Sequence, residues 1–380
     1  MSVKCKGEAV IKKLIVLLTT GFLASCMVGC SAAGHAGVSS AQADLPEDFV
    51  PDTFIFQEYE SGVTIETDTD QETDTDQEKE GNEETMTNAA LPEELIQIPE
   101  GYFEESGYPG TLVELEYDTY ESMTYEEQEQ VLHKRAIVYL PYGYSEEEKY
   151  NVFYLMYGGW SNETTYLGTP DHPAAFKNVL DHGIADGVIQ PMIVVCPTYN
   201  NTSPDDSGGY SLALRLTDNY HRELTGDLIP AVEGAYSTYA EDTTPEGIRS
   251  SRDHRAFAGF SMGSVATWRT FQHCLDAFRY FMPSSGNLTS DGEYMTSMVR
   301  DSGHTWNDFF IFAASGTDDF AYSSFKDQIE AMADVSDGTF RYADNERDGN
   351  LYFLEQEGGV HSGEYAMEYF YNGLCWIWQP

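Results

Sequence analysis

From about residue 99 onward, apolar positions fall into short runs separated by polar stretches. Leu112-Val113-Glu114-Leu115-Glu116-Tyr117 and Arg135-Ala136-Ile137-Val138-Tyr139-Leu140 have strand-like patterning. Only a short polar, helix-capable stretch lies between them, which predicts an antiparallel opening pair. Four further runs, 152–156, 192–196, 256–260 and 309–314, are apolar almost without interruption, as strands buried on both faces are. A last run, 351–354, precedes a C-terminal helix. Helix-length segments fill the gaps at 174–184, 212–236, 263–278 and 324–333. Strands that alternate with helices predict an α/β domain over 99–380, with a mostly parallel sheet covered on both faces. A ligand site is then expected at the carboxyl ends of the strands.

The chain before this domain follows no such pattern. Residues 26–98 are dominated by Glu, Asp, Thr, Gln, Ala and Ser, and Glu66-Thr67-Asp68-Thr69-Asp70-Gln71 is repeated at once in residues 72–77. Such a stretch buries too little apolar surface to offset its chain entropy, so it predicts an acidic disordered tether with a reach of roughly 50 Å. Residues 1–25 combine Lys4, Lys6, Lys12 and Lys13 with an apolar run from Leu14 to Ser25. That is the layout of a bacterial export signal, and the run is short of the roughly 20 residues a permanent membrane helix needs. It ends in Leu23-Ala24-Ser25-Cys26, similar to the lipobox of bacterial lipoproteins, in which the Cys becomes the lipidated first residue. Cys30 is the weaker alternative. The expected location is the outer face of a bacterial membrane, held there only by an N-terminal lipid.

Charge narrows the function classes. The 380 residues hold 64 Asp and Glu against 20 Lys and Arg, a formal charge of -44. A field of that sign repels nucleic acid and anionic membrane surfaces, which excludes a nucleic-acid partner. With Cys5, Cys26 and Cys30 set aside along with the leader, Cys196, Cys274 and Cys375 remain. An odd number closes no disulfide framework, and no CxxC or His-cluster spacing suggests a metal.

The chemistry is concentrated where the 256–260 run meets the next helix. Gly259-Phe260-Ser261-Met262-Gly263 is G-x-S-x-G in a strand-turn-helix context. Ser261 would occupy a strained turn that lifts its hydroxyl out of the sheet, and the flanking glycines leave room for the helix and strand to close on each other. A serine nucleophile needs a general base oriented by a carboxylate, in the chain order Ser, Asp or Glu, His. His361, in the Gly-rich loop Glu357-Gly358-Gly359-Val360-His361-Ser362, has the position of a base. His273 lies within the helix after the serine, and His304 precedes any acid on the next strand. For the acid, the 309–314 run leads into Ser315-Gly316-Thr317-Asp318-Asp319-Phe320, and one of its two aspartates is expected to hold the imidazole.

Tyr154-Leu155-Met156-Tyr157-Gly158-Gly159, Asp227-Leu228-Ile229-Pro230, residues 255–263, Gly316-Thr317-Asp318-Asp319 and Gly359-Val360-His361 together resemble the esterase D-like branch of the α/β hydrolases. The match is nearest to the feruloyl and acetyl-xylan esterases of carbohydrate esterase family 1, over about residues 112–378. The resemblance implies an α/β-hydrolase fold and a catalytic set of Ser261, Asp319 rather than Asp318, and His361. It further implies an oxyanion hole at the backbone N–H groups of Gly159 and Met262, no cofactor or metal, and plant cell-wall polysaccharide esters such as those of xylan as substrates. One departure stands out: Tyr157-Gly158 replaces the family's His-Gly, and Trp160 replaces a glycine. Trp160 is therefore expected to line the acyl site, where a planar ring favours hydroxycinnamoyl over acetyl groups. The alternatives are acyl transfer to a sugar acceptor and an inactive surface glycan-binding protein.

Overall fold

Strand-forming runs and amphipathic segments resolve into one mixed sheet and its helices in a computed structural model that describes Thr87 and residues 89–379. The leader, Cys26, Cys30 and the acidic stretch up to residue 86 lie outside the described residues. Strands β1 (Thr111–Tyr120) and β2 (Val131–Leu140) pair antiparallel as expected, with Leu115 opposite Ala136. They are followed by β3 (Asn151–Met156), a two-residue hairpin of β4 (Gly168–Thr169) and β5 (His172–Pro173), and then β6 (Met192–Cys196). β7 (Arg255–Phe260), β8 (Tyr280–Ser284), β9 (Phe310–Gly316) and β10 (Leu351–Gln356) complete the set. The eight-stranded sheet has the order β1-β2-β6-β3-β7-β8-β9-β10. β2 is antiparallel to both neighbours, and from β6 to β10 every pairing is parallel.

Helices α1 (Ala175–Ala185), α2 (Tyr210–Glu223), α3 (Ile229–Ala235) and α4 (Pro245–Ser250) precede α5 (Met262–His273), α6 (Gly292–Ser302), α7 (Tyr322–Asp334) and α8 (Gly363–Trp376). They form two layers. Successive side chains of a strand point to opposite faces, and β8 shows both: Phe281 meets Phe271 of α5 edge-on at 5.1 Å, whereas Met282 abuts Gly373 of α8. A Cβ on Gly373 would lie 2.6 Å from the Met282 sulfur, so this glycine sets the helix-to-sheet spacing. The fold is α/β with a mostly parallel sheet, as the patterning predicted.

Several elements differ from the expected set, helices α4 and α6 and the β4–β5 hairpin among them. Strand β8 carries Pro283, which cannot donate to a ladder, and so its apolar character is disguised in the sequence. The single helix expected over 212–236 is α2 and α3 joined by a π-helical turn at Leu224–Leu228, which accommodates Pro230 near the start of α3. The last residues of the expected tether pack on the domain. Leu91 and Ile98 are buried, and the Asn372 amide of α8 accepts from Ile96 N–H and donates to Ile96 C=O, each at 2.8 Å. Trp376 donates to Ala89 C=O at 3.1 Å. Apolar residues spaced among the acids here have a groove to fill, which overrides local composition.

Candidate active site

Ser261, between β7 and α5, has φ 59° and ψ -119°, a backbone state costly for any residue with a Cβ, on the order of 1–3 kcal/mol. Close backbone approaches impose it. A Cβ at Gly259 would sit 2.2 Å from Gly263 C=O, and one at Gly263 would sit 2.4 Å from Met156 C=O at the end of β3. Gly286, after β8, is wedged against Ser261 C=O, 2.3 Å from where its Cβ would be. Ser261 N–H donates to Ser284 C=O at 2.9 Å, and Ser264 N–H donates back to Ser261 C=O at 2.9 Å. The turn is thus clamped from β3, β8 and α5. Met262 opens α5, where first-turn N–H groups have no intrahelical acceptor.

The loops that carry His361 and Asp319 meet through two glycines. β9 and β10 pair in register up to Gly316 opposite Gln356. Just beyond, a Cβ on Gly316 would lie 2.3 Å from Gly359 C=O, so the loops touch backbone to backbone. Asp318 N–H donates to Gly359 C=O at 2.9 Å, and Gly358 N–H donates to the Thr317 hydroxyl at 2.9 Å. This contact brings Asp319 and His361 together. Both Asp319 carboxylate oxygens lie 2.8 Å from His361 Nδ1. The Asp319 side chain is fully buried, and its Oδ1 also accepts from Ala321 N–H at 2.8 Å. Asp318, by contrast, is exposed. With Nδ1 occupied, Nε2 is the nitrogen left to face a reacting hydroxyl. Phe260, the residue before Ser261, packs on the imidazole at 4.4 Å, and Phe320 packs on it at 4.2 Å.

The Tyr157–Trp160 loop passes beside the serine: a Cβ on Gly158 would fall 3.3 Å from Ser261 Cβ. Tyr157 is buried and stacks on Tyr199 at 4.7 Å, its hydroxyl bonded to that of Thr198 at 2.6 Å and accepting from Asn200 N–H. Burial pushes the Tyr157 phenol well above its usual range. Tyr199 donates to Gly158 C=O at 3.1 Å, and Trp160 N–H donates to Ser207 C=O at 3.0 Å. Asn200 and Ser207 tie the 198–207 loop to Ser161. These braces escaped sequence reasoning because none belongs to a local motif. Trp160 has φ 57° and is 75% exposed, a strained and open placement for a bulky side chain.

The other histidines considered are elsewhere. His273 stacks on His221 at 4.0 Å, and His304 bonds Asp276 at 3.0 Å. A cleft of about 960 Å³ opens beside β1, β2 and the 198–204 loop, lined by Lys134, Glu163 and Asp227 among others and by none of Ser261, Asp319 or His361. Among the described residues no group of three His, Cys, Asp or Glu is arranged to hold a metal ion.

Comparison with known proteins places the chain among esterases. The family described as "Putative esterase" matches residues 133–317. A serine-to-alanine form of the feruloyl esterase module of Clostridium thermocellum, solved with sinapinate, superposes with a TM-score of 0.65 at 35% identity. The alignment covers 76% of this chain and 95% of that module. The chain belongs to the feruloyl esterase family. Endo-1,4-beta-xylanase Y of Acetivibrio thermocellus is 42% identical to it over 247 residues, 63% of this chain and 21% of that protein. An endo-1,4-beta-xylanase/feruloyl esterase of Xylanibacter ruminicola is 32% identical over 173 residues, 44% of this chain and 20% of that protein. The esterase thus spans about a fifth of the length of these curated relatives. The ferulic acid esterase of Anaeromyces mucronatus shares its fold, with a TM-score of 0.52 at 19% identity.

Proposed function

We propose that this esterase is an extracytoplasmic serine hydrolase that removes hydroxycinnamoyl groups from plant polysaccharides of the xylan class. The observation that carries the reading is the His361–Asp319 pair at 2.8 Å, its imidazole packed on Phe260, the residue before a serine held in a strained strand-to-helix turn. Its place in a family whose solved members include a module complexed with sinapinate supports the acyl class.

In the proposed reaction His361 Nε2 takes the proton of Ser261 as Oγ bonds to the ester carbonyl carbon, and the charge on the carbonyl oxygen is met by the N–H groups of Gly159 and Met262. Collapse breaks the bond to the alcohol oxygen, which leaves with the proton from Nε2. Water then attacks the acyl-enzyme with the same base, releasing the acid and regenerating Ser261. Asp319 holds Nδ1–H and stabilises the imidazolium. Backbone donors make the Tyr157 replacement compatible with catalysis, since its phenol is engaged with Thr198 and Asn200. Trp160 supplies a planar face for the acyl ring. The Lys-rich start, short apolar run and Cys26 support export and lipid anchoring at the outer face of a bacterial membrane.

The test compares ferulate release from feruloylated arabinoxylan with acetate release from acetylated xylan, for the wild type and Trp160→Ala. Faster ferulate release, reduced a few-fold to about tenfold by the substitution, is the expected result. Faster acetate release, with Trp160→Ala unchanged on both substrates, would make the protein an acetyl-xylan esterase instead.

A further inference from the structure

Three residues of the site each have an open apolar neighbour in the chain: Trp160 follows Gly159, Phe320 follows Asp319, and Val360 precedes His361. Phe320 is the least explained of the three. It is 74% exposed, so most of the burial that would favour a phenyl ring is forgone. What it does touch is the imidazole of His361, with ring centroids 4.2 Å apart and planes inclined by 38°. Phe260 already packs on the same imidazole from within the core, at 4.4 Å, and is buried. The fold therefore supplies a dry partner for the base and adds a second ring that is left facing water.

The division of the site around His361 says what that ring faces. Nδ1 is held by Asp319, so Nε2 is the nitrogen that returns its proton to the departing alcohol oxygen. The carbonyl oxygen is directed to the other side, toward the N–H groups of the Gly159 loop and of Met262. A ring packed on the imidazole thus borders the alcohol half of the ester, whereas Trp160, next to Gly159 in the chain, is the residue proposed above for the acyl half. In a polysaccharide ester the alcohol half is a sugar, whose C–H faces stack on aromatic rings.

We propose that Phe320 is the platform for the sugar that carries the acyl group, a specificity-determining residue on the alcohol side of the ester. This inference rests on the hydrolase reading above. A methyl ester has no ring to place on Phe320, so its turnover does not draw on this contact.

The experiment measures kcat/KM for a feruloylated arabinoxylo-oligosaccharide and for methyl ferulate, using the full chain as wild type, Phe320→Ala and Phe320→Tyr. Phe320→Ala is expected to lower the ratio of oligosaccharide to methyl ester by about threefold to tenfold, mostly through KM. Phe320→Tyr, which keeps the ring, is expected to preserve the ratio. The order of preference among methyl ferulate, methyl coumarate and methyl sinapinate should stay that of the wild type in both variants. An unchanged ratio in Phe320→Ala, or equal losses on both substrates, would overturn the proposal and leave Phe320 as a support for the imidazole alone. Wild-type protein that hydrolyses neither ester would instead overturn the hydrolase reading itself.

Discussion

Replacing Asp319 by Asn changes a single atom type in a site where both carboxylate oxygens are committed. Each lies 2.8 Å from His361 Nδ1, and Oδ1 also accepts from Ala321 N–H at 2.8 Å. The side chain is fully buried, so no water can take over either role. An asparagine must turn its oxygen to Ala321 N–H, which places its NH₂ against Nδ1. Two donors cannot face each other, so Nδ1 must become an acceptor and the imidazole proton moves to Nε2. That tautomer cannot take the Ser261 proton, and the counter-charge for the imidazolium is gone as well. The expected loss in kcat is about 10³- to 10⁴-fold, or roughly 4–5.5 kcal/mol of barrier, with KM little changed. The control is Asp318→Asn. Asp318 is exposed and contributes to the loop contact through its backbone N–H to Gly359, so the expected change is under about twofold. Steady-state hydrolysis of methyl ferulate near pH 7.5 reads both variants, with circular dichroism to confirm folding. Equal losses, or an Asp319→Asn variant within tenfold of wild type, would refute the assignment.

Three further outcomes follow from other parts of the molecule. Arg255 and Glu233 form a bidentate pair with both side chains 1% exposed, at the end of β7 remote from Ser261, so Glu233→Gln should destabilise the domain by about 3–5 kcal/mol in urea unfolding while the folded fraction keeps its kcat. Burial lowers the pKa of His254, stacked on Tyr239, to about 4, below the unfolded value near 6.5; above that value the residue is neutral in both states, and below it the unfolded chain takes the proton first. Its contribution is therefore lost as pH falls from 6.5 toward 4, and wild type should lose about 1 kcal/mol relative to His254→Phe between pH 7 and pH 5, discounted for partial exposure; a pH-independent gap would contradict this. Expressed in a bacterium, the full chain should fractionate with membranes and take up a fatty-acid label that Cys26→Ala abolishes, whereas a soluble, unlabelled wild type would reject lipidation.

The sheet could be read from sequence wherever a strand is a continuous apolar run, because burial on both faces leaves no other composition. Residues 192–196, for example, coincide with β6. Strand β8 is equally buried, but Pro283 carries the signal of a break. Helix α6 presents only Met295, Met298 and Val299 among polar residues as its large apolar side chains, too faint a stripe over 11 residues to separate from a loop. At the site, Ser261 stands in a local motif whose glycines have evident geometric work, and His361 and the Asp318–Asp319 pair could be placed by chain order. Choosing between the two aspartates from the residues alone was not possible, since the choice depends on the Gly316–Gly359 contact between loops more than 40 residues apart. Phe320, Tyr199, Asn200 and Ser207 act through tertiary contacts of the same kind, and nothing in their local sequence marks them.

The central claim is that Ser261 carries the acyl group during turnover. Rapid acid quench of the esterase during hydrolysis of methyl ferulate, followed by peptide mass spectrometry, tests it directly. The account predicts a feruloyl adduct on the peptide containing Ser261, formed within the first turnover and absent from Ser261→Ala, with activity of that variant reduced by several orders of magnitude. No adduct at Ser261 together with an alanine variant that keeps more than about a tenth of the wild-type rate would contradict it.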